Sequence, residues 1–183
     1  MSNRALHMTN FVISWKAKFS ERKNKKAFMN SMAKGYDNHF HITHHANFAV
    51  IRPVGHQFVY ITFYGGHVNC TGIRHPRLVA NAISVFKYCF HNITLSNIKI
   101  QAIAATLYDK SLMFTPDDIP VMRKKLAPDS KLLIISSRFT GARIRFSYGG
   151  SAQLFFSGKV NFLGAKNISH LSRMNADISI FGK

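Results

Sequence analysis

General acid-base and two-metal chemistry both need carboxylates that converge on one site, and this sequence offers few. Its only Glu is Glu21, and Asp37, Asp109, Asp117, Asp118, Asp129 and Asp177 are scattered through expected loops and helix ends. Ligand chemistry is confined to His39, His41, His44 and His45. His41 and His45 form an i, i+4 pair, but only Asp37 is close enough in sequence to join them, so the stretch reads as a polar loop and not as a metal site. Cys70 and Cys89 lie in apolar surroundings, as buried free thiols of a reducing compartment do. With no nucleophile, metal or carboxylate constellation, the expectation is a protein that is not an enzyme and carries no cofactor.

What the side chains do offer is positive charge. Twenty-five Lys and Arg against seven acids leave a net charge of +18 on 183 residues, which points to a polyanionic partner, nucleic acid first. An apolar content of 46% is enough for a core. No run approaches the roughly 18 apolar residues of a membrane span, and there is no apolar leader segment, so no membrane partner is expected.

Two stretches echo one another: YGGHVNCTGIR from Tyr64 and FSGKVNFLGAK from Phe156. Phe63 and Phe155 just before them stand 92 positions apart, as do Gly72 and Gly164 near their ends, and that interval is half the chain. A tandem duplication follows, with repeats at 1–94 and 95–183. In extended chain Val68 and Cys70 face one way and Asn69 and Thr71 the other; Val160 and Phe162 oppose Asn161 and Leu163 in the same manner. Small and polar groups therefore share a face with Phe63 and Phe155 in both repeats.

The positioning elements repeat too. TNFVISWKAKF (9–19) reads as a strand, and SERKNKKAFMNSMAKG as a helix from Ser20 to Gly35 with a solvated basic face. NFAVIRPV, QFVYITFYGG and HVNCTGIR read as an antiparallel meander, and a helix opens at Pro76 with Leu78, Val79, Ala82, Ile83, Phe86 and Phe90 as its apolar face. The second round begins with strand IKIQAIAATLY and a helix opened by Thr115 or Asp118. Strands around KLLIISSRF, ARIRFSY, AQLFFSG and KVNFLGAK follow, then a helix from about Asn167. Too few helices are available to cover both sides of these sheets, so one apolar face is expected to stay bare, which suits a ligand with an apolar floor and charged rims.

FSGKVNFLGAK, FTG at Phe139, NFVIS at Asn10 and CTG at Cys70 together resemble the core domain of the TATA-box-binding protein family, in the right order over nearly the whole chain. The resemblance implies an α+β saddle of two pseudo-symmetric repeats, a curved antiparallel sheet with helices on the convex face. It implies that Phe48, Phe63, Phe139 and Phe155 wedge between base steps, since an inserted ring replaces base stacking and bends the duplex; the bend is a property of that family. Asn10 and Thr71 match groove-contacting donors, with Val12 on the groove floor beside them. Lys159 and Arg145 match phosphate contacts, His67 replaces a base at another, and Arg52, Arg74, Arg143 and Lys166 complete the phosphate set.

Departures from the family pattern carry expectations of their own. Ala102 and Leu163 stand where the second repeat would have Asn and Thr, so one half of the site loses donors to the central bases. Asn69 and Asn161 stand where Val is usual, and an amide there can accept from a guanine amino group, which predicts tolerance of a G·C pair. IISSR before Phe139 lacks the acidic pair through which the family meets transcription factor B, so general factors of the B or A type are expected only without that contact. The implied function is a transcription initiation factor that binds and bends A·T-rich promoter DNA, acting in a nucleus, that of the host if the chain is viral. The alternative is a non-specific DNA- or RNA-binding or packaging protein using the same sheet.

Overall fold

Alternation along the first apolar run becomes a strand, β1 (His7–Phe19), which buries Phe11, Ile13, Trp15 and Ala17 on one face. The structure, a computed structural model, describes residues 6–19, 39–90, 93–126, 128–134 and 141–182. The helix expected at 20–35, the candidate wedge Phe139 and all but the first residue of IISSR lie outside the described residues.

Two compact units divide the chain, Asn10–Gln101 and Ala102–Lys183 with Met1–Thr9. In the first, β2 (Phe40–His44), β3 (Phe48–Pro53), β4 (Val59–Phe63) and β5 (His67–Ile73) lead to helix α1 (Leu78–Cys89). The strands lie in the order β2-β3-β4-β5-β1, and the neighbours are antiparallel. In the second, β6 (Ile93–Tyr108, from Ala102 onward), helix α2 (Ile119–Lys125), β7 (Lys131–Ile134), β8 (Gly141–Arg145), β9 (Ser151–Phe155) and β10 (Lys159–Ala165) precede helix α3 (Ile168–Ser179). Their order, β7-β8-β9-β10-β6, repeats the first. The sheets are antiparallel, as the short turns in the sequence require.

One expectation is overturned. The histidine-rich stretch is not a polar loop: Phe40–His44 pairs with β3 in register Phe40↔Pro53 to His44↔Ala49. Phe40 and Ile42 share the face of the buried Pro53 and Ile51, and this apolar alternation is enough to make a strand although the composition is polar.

Helices α1 and α3 each pack on one face of their unit. Ala82, Phe86 and Cys89 of α1 are buried, and the helix packs on β5. Trp15 meets Tyr60 and Phe86 edge-on at 6.1 and 5.1 Å, and the Tyr60 hydroxyl donates to the Ala82 carbonyl at 2.6 Å, pinning the helix to β4. Leu78, expected on the buried stripe, is 40% exposed at the first position of α1. In the second unit Leu171, Met174 and Ile178 of α3 are buried and the helix packs on β10, capped by Asn167 Oδ1, which accepts from the His170 N–H. At the Thr115 start, the Asp118 carboxylate accepts from both the N–H and the hydroxyl of Thr115.

The glycines of the echoing stretches have a physical cause. Gly66 (φ +85°) and Gly158 (φ +80°) close the turn after Phe63 and Phe155, each donating its N–H back to that Phe carbonyl. A Cβ on Gly66 would stand 2.6 Å from the Ala17 carbonyl oxygen, so the neighbouring strand leaves no room for one. Gly72 and Gly164, also at positive φ, sit where the ladders of β5 and β10 shift register.

Cys70 and Cys89 are free and buried, and burial pushes both thiols up to about 12. Because the folded-state value is raised, their contribution to stability is complete below the unfolded thiol value. It is lost as the pH rises from there through about 12. Native protein at pH 8 is expected to react slowly with a thiol reagent at both sites and rapidly once unfolded; fast reaction in the native state would show that these thiols are accessible.

Candidate nucleic-acid interface

Opposite α1 and α3 the sheet face is only half-buried. In the first unit this face carries Asn10 and Val12 on β1, Asn69 and Thr71 on β5, Ile61 and Phe63 on β4, and Phe48, Val50 and the exposed Arg52 on β3. Cross-strand pairs Phe48↔Phe63, Val50↔Ile61, Ile61↔Asn69 and Val59↔Thr71 set these side chains in rows. In the second unit the face carries Ala102 and Thr106, Asn161 and Leu163, Gln153 and Phe155, and Arg143 and the exposed Arg145, with Lys159 at the end of β10. The sequence-predicted residues within the described strands thus all lie on bare faces. Arg74 and Lys166 are exposed just past β5 and β10.

Asn10 is held in one orientation. The Gly72 N–H can only donate, and it donates to Asn10 Oδ1 at 2.8 Å. The amide nitrogen then faces Thr71, donating to its hydroxyl at 3.1 Å. The Thr71 hydroxyl donates back to Asn10 Oδ1 at 3.4 Å, and the second Asn10 amide hydrogen is a donor of the type that minor-groove A N3 and T O2 atoms accept. Asn69 Oδ1 lies 3.1 Å from His67 Nε2, and Asn161 Oδ1 accepts from the Thr106 hydroxyl at 3.2 Å. Both amide oxygens therefore already have a neighbour.

At the end of the first face the rings of Phe48 and Phe63 sit 5.7 Å apart, with His45 stacked on Phe48 at 4.5 Å. At the end of the second, Lys159 Nζ stands 5.9 Å over the Phe155 ring. The cross-strand partner of Phe155 is Gly141, so by register the counterpart of Phe48 is Gly141, two residues after Phe139. Arg143, Arg145, Ser151 and Leu163 line a shallow hollow with the backbone of Gly150 and Gly164. Among the described residues neither arginine has an acidic partner. No group of three metal-ligating side chains occurs among the described residues, and no described helix is long and apolar enough to cross a membrane.

Sequence reasoning missed several residues of this face. Val59 and Ile61, and their counterparts Ser151 and Gln153, precede the two Phe by four and two positions, so the period-two rule applied backward from Phe63 and Phe155 finds them. His45 was not legible: its ring reaches Phe48 only because the turn between β2 and β3 folds it back.

No family model and no curated protein matches the sequence. Among solved structures, a rolling circle replication initiator protein from Geobacillus stearothermophilus aligns at TM-score 0.40 and 10% identity, over 94% of this chain and 80% of its own, below the level of a shared fold. Methanococcus jannaschii TBP aligns at TM-score 0.70 and 21% identity, over 96% of this chain and 97% of its own. The resemblance carried by the sequence motifs is borne out as fold: this chain has the fold of a TBP core domain.

Proposed function

We propose that this chain is a transcription initiation factor, not an enzyme, that binds A·T-rich promoter DNA in the minor groove and bends it. The observation that carries the reading is the pair of bare sheet faces, each with an aromatic at one end and cations at the rim. In the first unit the floor of Val12, Val50, Val59 and Ile61 offers apolar contact to sugars and base edges, and Asn10 with Thr71 supplies donors. A·T-rich steps deform at lower cost than G·C steps, so sequence can be selected with few base hydrogen bonds.

The test is bending measured by fluorescence transfer between dyes at the ends of A·T-rich and G·C-rich duplexes. Bending confined to the A·T-rich duplex supports the reading, and binding to both without bending supports a packaging protein. Lys159→Ala is expected to weaken binding to all sequences alike and to lower the slope of log affinity against log salt by about 0.9. A slope equal to wild type would place Lys159 away from phosphate.

A further inference from the structure

The two bare faces match in strand order but not in chemistry. Row for row, Val50 and Ile61 of the first unit correspond to Arg143 and Gln153 of the second, because each pair is joined across the ladder to an Asn on the next strand, Asn69 or Asn161. Polar groups are also redistributed along the inner strands: Asn10 and Thr71 face Ala102 and Leu163 as counterparts. The first unit thus has Asn10 and Thr71 on its inner strands and Val50 and Ile61 farther out, where the second has Ala102 and Leu163 inside and Arg143 and Gln153 outside.

Resting on the minor-groove reading above, we propose that the second unit reads a G·C pair in its half of the DNA site through Gln153, while the first unit rejects one. Guanine alone places an amino donor in the minor groove. Against Val50 and Ile61 that donor would be desolvated without a partner, the arrangement that costs most. Gln153 supplies the missing acceptor. Its amide makes no hydrogen bond among the described residues, and it is half-buried on the bare face, at floor level. Asn161 beside it already accepts from Thr106, which leaves the Gln153 oxygen as the uncommitted acceptor of the row. Arg143, on the other side in the same row, is half-buried where Arg145 is exposed, and its guanidinium donors are of the type that the cytosine O2 or guanine N3 atom accepts.

The experiment moves a single G·C pair through an A·T duplex and measures affinity and bend for wild type, Gln153→Ile and Ile61→Gln. Each substitution installs the residue found at the register counterpart on a half-buried position, so the core is untouched, and circular dichroism checks the fold. Wild type is expected to tolerate G·C in one half of the site and to lose on the order of tenfold in affinity in the other. Gln153→Ile should extend the loss to both halves, and Ile61→Gln should relieve it in the half that wild type rejects. If wild type bends the A·T duplex but penalises G·C equally in both halves, or if Gln153→Ile leaves the pattern unchanged, the inference is overturned while the minor-groove reading stands. If no duplex is bent, that reading fails and the inference falls with it.

Discussion

Phe63→Ala and Phe155→Ala are each expected to weaken binding to an A·T-rich duplex by about 1–3 kcal/mol and, combined, to abolish the bend. A ring placed against a base step recovers stacking that the opened step has lost, and alanine cannot reach. Both rings are half-buried and stand on faces no helix covers, so their removal leaves the Trp15, Tyr60 and Phe86 cluster and the Leu171, Met174 and Ile178 contacts intact. The variants should therefore keep their circular dichroism while the fluorescence-transfer signal of the labelled duplex returns to that of free DNA. A double variant that still bends DNA as wild type does would remove these residues from the mechanism.

Trp15→Ala is expected to destabilise the protein by about 3–5 kcal/mol, a large share of the 5–15 kcal/mol typical of a whole domain. Trp15 is fully buried and touches both Tyr60 on β4 and the helix residue Phe86, so its loss opens a cavity where sheet and α1 meet. It is the only Trp, which makes wild-type fluorescence a direct reporter of the first unit. Thermal unfolding followed by circular dichroism measures the change. A shift no larger than that of an exposed substitution would mean that Phe86 and Tyr60 close over the gap.

Much of this was legible beforehand because it depends on local rules. Alternation in HVNCTGI and KVNFLGA identified both the strands and the faces of Asn69, Thr71, Asn161 and Leu163, since extended chain sends successive side chains to opposite sides whatever surrounds it. β2 was obscured because its histidines suggested ligand chemistry, while only pairing with β3 reveals that Phe40 and Ile42 have an apolar face to join. The 92-residue interval is a sequence signal for repeats at 1–94 and 95–183, but it does not carry the register, which places Gly141 opposite Phe155.

The sequence by itself determined the charge, the repeat, the alternating strands and the absence of a carboxylate cluster, because these follow from residue type and spacing along one chain. Tertiary structure alone decided which residues meet across strands. It brought Gly72 to Asn10 and so turned an amide into an oriented donor, stacked His45 on Phe48, and aligned Gln153 with Ile61 as counterparts of opposite chemistry. Register is a relation between distant segments, set by how the whole sheet buries its helix-facing side, and no single strand contains it.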